Sequence, residues 1–188
     1  MEKSKAQGLI PKEAAVVLGV TASVALYKAC DITRRLRERG VAVHVVMTDE
    51  AVELINPLLF QSLSGNKVYH GMFQSPDTWE VEHIGLADRA GCVLVAPATA
   101  NILAKAAHGI CDDLLTCVIC ATRAPVIFAP AMNDNMYRNK ITQANIKALV
   151  SAGYTCIEPR KGTLVCGKAG VGCLADVDTI VASVMRVL

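Results

Sequence analysis

Residues 125–137 read PVIFAPAMNDNMY, and the rest of the chain repeats the pattern of this stretch. An apolar run between two prolines is typical of a strand buried on both faces of a sheet. Pro130 has no N–H for a strand ladder, so the strand is predicted to end there. The residues that follow lie at the carboxyl end of that strand, where open α/β sheets bind ligands. Asn133 is therefore a candidate ligand contact, because its amide both donates and accepts hydrogen bonds. Closing a turn through its own backbone is the alternative role for Asn133.

The same order of apolar run, polar turn and helix occurs along the whole chain. Further strands are predicted at residues 14–20, 41–47, 92–96 and 154–158, with helices between them and an amphipathic helix at 176–188. Strands that alternate with helices predict a parallel sheet covered by helices on both faces. The predicted fold class is α/β, a Rossmann-like (flavodoxin-like) open sheet. We expect a single domain over residues 1–188, with a flexible N-terminal tail at 1–13 and a polar, irregular region at 67–82.

The composition excludes several classes of protein. Hydrophobic residues make up 53% of the 188 residues and charged residues 19%, which argues against disorder. The net charge of +2 without a basic block argues against nucleic-acid binding. No apolar run reaches the ~18 residues that cross a bilayer, and the N-terminus lacks the apolar region of a signal peptide. We expect a cytoplasmic protein that hides part of its apolar surface between subunits.

Eight cysteines are present, and without a secretory signal they are expected to be thiols. Cys117 and Cys120 form a Cys-x-x-Cys pair, a spacing that occurs in redox and zinc sites. Their apolar neighbours instead predict that both side chains pack inside a buried helix.

The turn after the first strand contains small and hydroxyl residues, among them Thr21, Ala22, Ser23 and Val24. Backbone N–H groups, hydroxyls and a helix dipole converge in such a turn, which suits a phosphate. It lacks the G-x-G-x-x-G fingerprint, so a mononucleotide fits better than a dinucleotide. Thr48 ends the second strand at the same edge and can also reach a phosphate. Helix capping by these hydroxyls is the alternative.

The turn after the third strand, Thr99, Ala100 and Asn101, is also small and polar, which lets a flat cofactor ring approach the backbone. Pro97 is predicted to end that strand. His83 precedes a predicted helix at residues 84–90, where an imidazole can act as a base or as a donor. A solvated surface histidine is the alternative.

Residues 159–173 contain five glycine or proline residues and are predicted to form a mobile loop without packed structure. Cys166 lies in this loop beside Lys161 and Lys168, whose charges favour the thiolate. Glycines that flank a reactive group are typical of a lid.

In their order along the chain, these motifs resemble one family, the flavin-containing cysteine decarboxylases. The resemblance covers nearly the whole chain after residue 14. The residues that carry it are Ala22-Ser23-Val24 with Tyr27-Lys28, Thr48, His83-Ile84, residues 96–101 (APATAN), residues 109–116 (GICDDLLT), Pro130-Ala131-Met132-Asn133 with Met136, and Cys166-Gly167.

The resemblance implies roles for individual residues. It implies an FMN cofactor, with its phosphate on Ser23 and Thr48, held by Ala22, Ser23, Val24, Thr48, Thr99, Ala100, Asn101 and Ala131. It implies that His83 is catalytic and that Cys166 is a proton donor. It places substrate contacts at Asn133, which grips the carboxylate, and at Met136, Lys161 and Gly167, with residues 159–173 as a substrate clamp loop.

The implied reaction is the decarboxylation of 4′-phosphopantothenoylcysteine to 4′-phosphopantetheine in coenzyme A synthesis. The thiol is oxidised to a thioaldehyde, carbon dioxide leaves, and the enethiol is reduced again. The family also implies a homotrimer or a higher assembly of trimers. The alternatives are another FMN-dependent cysteine decarboxylase, such as one acting on peptides, an FMN reductase, or a flavin-binding regulatory subunit.

The chain departs from the family pattern at three positions. Ala22 stands in place of glycine, Ile102 in place of threonine and Tyr137 in place of tryptophan. None of these departures removes His83, Asn133 or Cys166, so an active enzyme is expected.

Overall fold

The computed structural model describes residues 15–72, 81–163, 167 and 169–188 of the chain. Six strands form its central sheet: β1 (Ala15–Val20), β2 (Ala42–Met47), β3 (Val68–His70), β4 (Cys92–Ala98), β5 (Val126–Pro130) and β6 (Thr155–Cys156). Their order across the sheet is β3-β2-β1-β4-β5-β6, and every neighbouring pair is parallel. This is the doubly wound order of Rossmann sheets, so the predicted fold class is confirmed.

Helices connect these strands. They are α1 (Tyr27–Glu38), which follows a 3₁₀ turn (Val24–Leu26), α2 (Asp49–Leu54), α3 (Pro57–Ser64), α4 (Glu82–Arg89), α5 (Ala100–His108), α6 (Leu114–Ala121), α7 (Asp134–Arg138), α8 (Lys140–Ser151) and α9 (Val177–Met185). None of the helices in the described ranges is long and apolar enough to span a bilayer.

Two apolar cores lie on opposite faces of the sheet. One core joins the sheet to α1, α3 and α9, and the other joins it to α4, α5, α6 and α8. Strand β1 lies in the middle, and each of its six residues is buried. A strand covered on both faces requires an unbroken apolar sequence, which is why AVVLGV could be identified as a strand.

The strand order reverses direction at β1. From β1 the chain first moves outward through β2 and β3, and it then returns to β4 on the other side of β1. The connections that follow β1 and β4 therefore run in opposite directions and leave a crevice at a topological switch point, where α/β proteins bind ligands.

Two features of the sheet differ from the sequence predictions. Strand β3 falls in the region 67–82 that was predicted to be irregular, and it is only three residues long. Strand β4 does not end at Pro97 but continues to Ala98, which pairs with Pro130 beyond an irregularity in the ladder. An irregularity of this kind accommodates a proline because its missing N–H is not needed there.

The prediction of an unstructured loop at residues 159–173 is also wrong in part. Two segments, β7 (Arg160–Thr163) and β8 (Ala169–Cys173), pair as an antiparallel hairpin apart from the central sheet. Cys166 and Lys168, like the predicted N-terminal tail at 1–13, lie outside the described residues.

The cysteines of the Cys-x-x-Cys pair are less buried than predicted. They lie on α6 as expected, but Cys117 is half-buried and Cys120 is exposed. The apolar residues of α6 that are buried against the sheet are instead Leu114, Leu115, Val118 and Ile119. Among the described His, Cys, Asp and Glu residues, no group of three or more could hold a metal ion.

Candidate active site at the switch point of the sheet

A cavity of about 660 Å³ lies at the carboxyl ends of β1, β4 and β5, beside the hairpin. Its volume falls within the range of small-molecule sites in proteins. Its walls are formed by residues from four segments of the chain: Ala22, Ser23, Val24, Ala25, Tyr27 and Lys28 after β1; Thr99 after β4; Ala131, Met132, Asn133 and Met136 after β5; and Arg160, Thr163, Gly172, Cys173 and Leu174 at the hairpin.

Thr21 joins the two strands that border the crevice. Its buried hydroxyl donates to the carbonyl of Pro97 at 2.8 Å and accepts from the backbone N–H of Thr99 at 3.2 Å. The hydroxyl is therefore used within the protein, although the sequence placed it in a phosphate-binding turn. Thr21 fixes the position of Thr99 relative to the first turn.

Ser23 lies on the cavity wall and also caps the turn that leads into α1. Its Oγ accepts from the N–H of Ala25 at 3.4 Å. Helix capping and phosphate binding, the two roles predicted for Ser23, are thus compatible, because a hydroxyl that accepts a hydrogen bond in a cap still has a proton to donate to an anion. Lys28 and Arg160 line the same cavity, and no Asp or Glu is among the described wall residues. The wall is therefore electrostatically suited to an anionic ligand.

Thr99 and Ala131 form the part of the wall between β4 and β5. Thr99 caps α5 by accepting from the N–H of Ile102 at 3.4 Å. The next two residues, Ala100 and Asn101, belong to the first turn of α5 and are not on this wall.

Thr48 is likewise off the cavity wall. It caps α2 through a hydrogen bond from the N–H of Ala51 at 3.3 Å, as the capping alternative predicted. Its own N–H donates to the carbonyl of Val20 at 3.1 Å, so it stays beside the end of β1.

Asn133 lies on the wall at the start of α7. Its Oδ1 accepts from the N–H of Asn135 at 2.9 Å and caps the helix. The turn-closing role and the position at the cavity therefore coexist. This hydrogen bond holds the amide in one orientation. Met136, one helical turn further, contributes an exposed thioether to the same wall.

The hairpin docks onto the loop that carries Asn133. The N–H of Met132 donates to the carbonyl of Gly172 at 3.0 Å, and the N–H of Val171 donates to Oδ1 of Asp134 at 2.8 Å. Gly172 has a φ of +142°, and a Cβ there would lie 2.1 Å from the carbonyl oxygen of Met132. Only glycine allows the two backbones to approach this closely.

The hairpin contributes wall residues that the sequence analysis did not identify, namely Arg160, Thr163, Cys173 and Leu174. The Arg160 side chain donates from Nε to the carbonyl of Leu174 at 3.3 Å and pairs with Asp176 at 3.2 Å. In the sequence, the only indication of this role for Arg160 was its position at the start of a glycine-rich segment. The two clamp residues that were predicted as substrate contacts, Lys161 and Gly167, are exposed and lie off this wall.

His83 is the second residue of α4, is half-buried, and does not line the cavity. The preceding residue, Glu82, forms an ion pair with Lys67 at 3.1 Å that joins the start of α4 to the region before β3. A single chain therefore does not bring His83 to the wall formed by Asn133. The other predicted catalytic residue, Cys166, lies outside the described residues.

The wall residues fit an FMN molecule. A phosphate can accept a hydrogen bond from the hydroxyl of Ser23 at the turn before α1 and pair with Lys28. The small side chains of Ala22, Thr99 and Ala131 leave room for a flat ring next to the backbone.

Comparisons with known proteins identify the family of this chain. The sequence model of the Flavoprotein family matches residues 4–188. The chain is 44% identical over 171 residues to a probable phosphopantothenoylcysteine decarboxylase of Streptococcus mutans, covering 90% of this chain and 96% of that protein. It is also 44% identical over 166 residues to the coenzyme A biosynthesis bifunctional protein CoaBC of Bacillus subtilis, covering 88% of this chain and 41% of that longer protein.

Solved structures show the same fold. A variant of PPC decarboxylase complexed with pantothenoylaminoethenethiol superposes with a TM-score of 0.81 at 30% identity, covering 93% of this chain and 97% of that one. The FMN-dependent cysteine decarboxylase SpaF gives a TM-score of 0.82 at 30% identity, covering 94% and 98%. The family match over almost the whole sequence and these relatives lead to one conclusion: the chain belongs to the Flavoprotein family.

Proposed function

We propose that this protein is an FMN-dependent decarboxylase that converts 4′-phosphopantothenoylcysteine to 4′-phosphopantetheine in coenzyme A synthesis. The cavity at the switch point carries the proposal, because one wall suits a mononucleotide and the adjoining wall presents Asn133. The identity with the Streptococcus mutans relative over 96% of its length supports this substrate.

The cofactor is needed because an ordinary cysteine amide offers no sink for the electrons that remain when a carboxylate leaves. Bound FMN supplies a two-electron acceptor for the thiol, which becomes a thioaldehyde, and a donor for the return of the electrons. Ser23, with Thr48 nearby, is assigned to the phosphate. The ring is assigned to the wall of Ala22, Val24, Thr99 and Ala131, with Ala100 and Asn101 at its border.

Asn133 and Met136 are assigned to the substrate. The side-chain N–H groups of Asn133 can donate hydrogen bonds to a carboxylate. The hydrogen bond that caps the helix restricts the orientation of this amide. An oriented amide fixes the carboxylate relative to the thiol-bearing carbon, which gives the departing group a defined direction. Met136 packs its flexible thioether against the substrate chain.

His83 and Cys166 are assigned to proton transfer. We assign the imidazole to the cavity of a neighbouring subunit, where it would face the substrate thiol; the absence of His83 from the wall of its own chain's cavity supports this assignment. The thiol of Cys166 protonates carbon in the final reduction. Lys161 and Gly167 are assigned to the clamp that covers the substrate.

We propose a homotrimer or a higher assembly of trimers, in which two chains contribute to each site. Val24, Tyr27 and Met136 line the cavity and yet are 64%, 63% and 49% exposed, and Val81 and Ile84, which flank His83, are 56% and 44% exposed. Exposed apolar side chains in groups are typical of subunit interfaces. Packing the start of α4 onto the cavity of the next chain would cover both groups. The proposed site of action is the cytoplasm, where coenzyme A precursors are made.

The experiment is to incubate the FMN-loaded protein with 4′-phosphopantothenoylcysteine and to measure the product by mass spectrometry. We expect a product lighter by one carbon dioxide, with the mass of 4′-phosphopantetheine and no consumption of nicotinamide. An unchanged substrate with a yellow, folded protein would refute the proposal.

Decarboxylation of a different cysteine-containing substrate, such as a peptide that ends in cysteine, is the second candidate function, and the similarity to the FMN-dependent cysteine decarboxylase SpaF favours it. A parallel incubation with a peptide bearing a C-terminal cysteine separates the two candidates. Faster turnover of the peptide than of 4′-phosphopantothenoylcysteine would assign the second function.

A further inference from the structure

The β7–β8 hairpin needs an attachment to keep its place at the cavity. It consists of two strands apart from the central sheet, and an isolated two-stranded hairpin is marginally stable in water. Arg160, Thr163 and Cys173 of this hairpin nevertheless form one wall of the cavity. Their positions therefore depend on contacts between the hairpin and the body of the protein.

The carboxylate of Asp134 provides one of these contacts. Its Oδ1 accepts from the N–H of Val171 in β8 at 2.8 Å, a charge-assisted hydrogen bond between positions that are far apart in the sequence. That hydrogen bond, followed by the bond from Arg138, lowers the pKa of Asp134. The carboxylate is thus ionised at neutral pH, the form in which it accepts most strongly.

The packing around this hydrogen bond is close. A Cβ at Gly170 would lie 2.8 Å from the Cβ of Asp134, and a Cβ at Gly172 would lie 2.1 Å from the carbonyl oxygen of Met132. Strand β8 therefore lies directly on residues 132–134. These residues surround Asn133, which the proposed function assigns to the substrate carboxylate.

We infer that Asp134 is a positioning residue, whose carboxylate holds the hairpin wall of the cavity in place against the wall formed by Asn133 and Met136. Its effect is on substrate binding, since it sets the distance between the two walls that enclose the substrate. The inference rests on the proposed function for the identity of that substrate. Asp134 itself does not line the cavity.

The test compares three variants of the FMN-loaded protein. Asp134→Ala removes the acceptor, and Asp134→Asn keeps an acceptor oxygen without the charge. Arg138→Ala is the control, because Arg138 pairs with the same carboxylate at 2.9 Å in an ion pair that does not include β8. For each variant, KM, kcat, FMN content and deuterium exchange of the peptide that contains Val171 are measured.

We expect Asp134→Ala to raise KM for 4′-phosphopantothenoylcysteine roughly tenfold, with kcat changed by less than about threefold and FMN content unchanged. Exchange at Val171 should accelerate in this variant. Asp134→Asn and Arg138→Ala should both stay within about threefold of the wild-type KM. A variant that was only destabilised would lose FMN and kcat as well.

Unchanged exchange at Val171 in Asp134→Ala, or an unchanged KM despite faster exchange, would overturn the inference. Failure of the proposed function looks different, because the wild-type protein would then release no carbon dioxide. In that case the exchange measurement alone decides whether Asp134 holds β8.

Discussion

Single hydroxyl groups set the geometry of the crevice, and Thr21 is the clearest case. Thr21→Val keeps the shape of the side chain but removes the hydrogen bonds to Pro97 and Thr99. The buried bond to the carbonyl of Pro97 is lost and the partly buried N–H of Thr99 loses its acceptor, so we expect the free energy of unfolding to fall by ~1–3 kcal/mol. FMN affinity should fall as well, because Thr99 is no longer held in place.

Urea unfolding and FMN titration check this prediction. Thr33→Val is the matched control, because Thr33 is equally buried but its hydroxyl donates only to the carbonyl of Ala29 within α1. FMN affinity should be unchanged in the control. Equal FMN affinity in Thr21→Val and wild type would show that the contact between β1 and β4 does not support the cofactor.

The assignment of His83 leads to a second prediction. His83→Asn should retain FMN and lose decarboxylation, because an amide has no titratable nitrogen with which to move the thiol proton. Absorbance of bound flavin and release of carbon dioxide are the two measurements. His108→Asn is the control, since His108 is exposed at the end of α5 and its ring bonds locally to the carbonyl of Ala104. Carbon dioxide release at the wild-type rate from His83→Asn would remove His83 from the mechanism.

Residue types at strand ends allowed part of the candidate site to be predicted from the sequence. Ser23, Thr99, Ala131 and Asn133 all line the cavity, because the carboxyl ends of parallel strands meet at one edge whatever the details of packing. Thr48 and Asn101 follow strands too, but they lie off this wall. The direction of a side chain within a first helical turn depends on tertiary packing, which the local pattern does not specify.

At the scale of elements, strands with long apolar runs were predictable and short or glycine-rich strands were not. Strand β1 has six buried residues in sequence, whereas β3 has three residues, of which only Val68 is buried. The hairpin strands consist mostly of polar residues and glycine and are little buried. They are held in place by docking against residues 132–134, so they need no apolar run of their own. Such contacts join distant parts of the chain and leave no periodic signal.

The docking of β8 gives a prediction for Gly172. Gly172→Ala places a Cβ 2.1 Å from the carbonyl oxygen of Met132, at a φ of +142°, so the strand must move away from the loop. We expect decarboxylation to fall at least about tenfold while the melting temperature of the core changes by only a few degrees, because the two apolar cores do not include the hairpin strands.

Gly40→Ala is the matched control for this substitution. Gly40 also has a positive φ, +77°, but no atom lies within 4 Å of the added Cβ, and the residue precedes β2 at the opposite edge of the sheet. It therefore carries the backbone strain without the collision. Activity in Gly172→Ala equal to that in Gly40→Ala would mean that the hairpin need not touch the loop during turnover.

At the scale of the whole molecule, the separation of His83 from the Asn133 wall requires either two chains per site or a different role for His83. In a ring of three chains, each chain offers one surface to the next, so the contact is heterologous and closes on itself. In the proposed trimer, the start of α4, with exposed Val81 and Ile84, is one such surface, and the exposed cavity residues Val24, Tyr27 and Met136 form the other. For the proposed trimer, light scattering on the purified protein should give the mass of at least three 20.0 kDa chains.

Mixed trimers test whether a site is shared. Chains carrying His83→Asn and chains carrying Asn133→Ser, which keeps a helix cap, are each expected to be inactive. Co-expressed in equal amounts, they should regain about a quarter of wild-type activity, since a site is intact whenever an unaltered His83 meets an unaltered Asn133 on the neighbour. Sites confined to one chain would regain nothing.

The control mixes wild-type chains with the double variant: shared sites predict about a quarter of full activity, and sites within one chain predict about half. The two mixtures thus give equal activities only if the histidine and the asparagine of each working site come from different subunits.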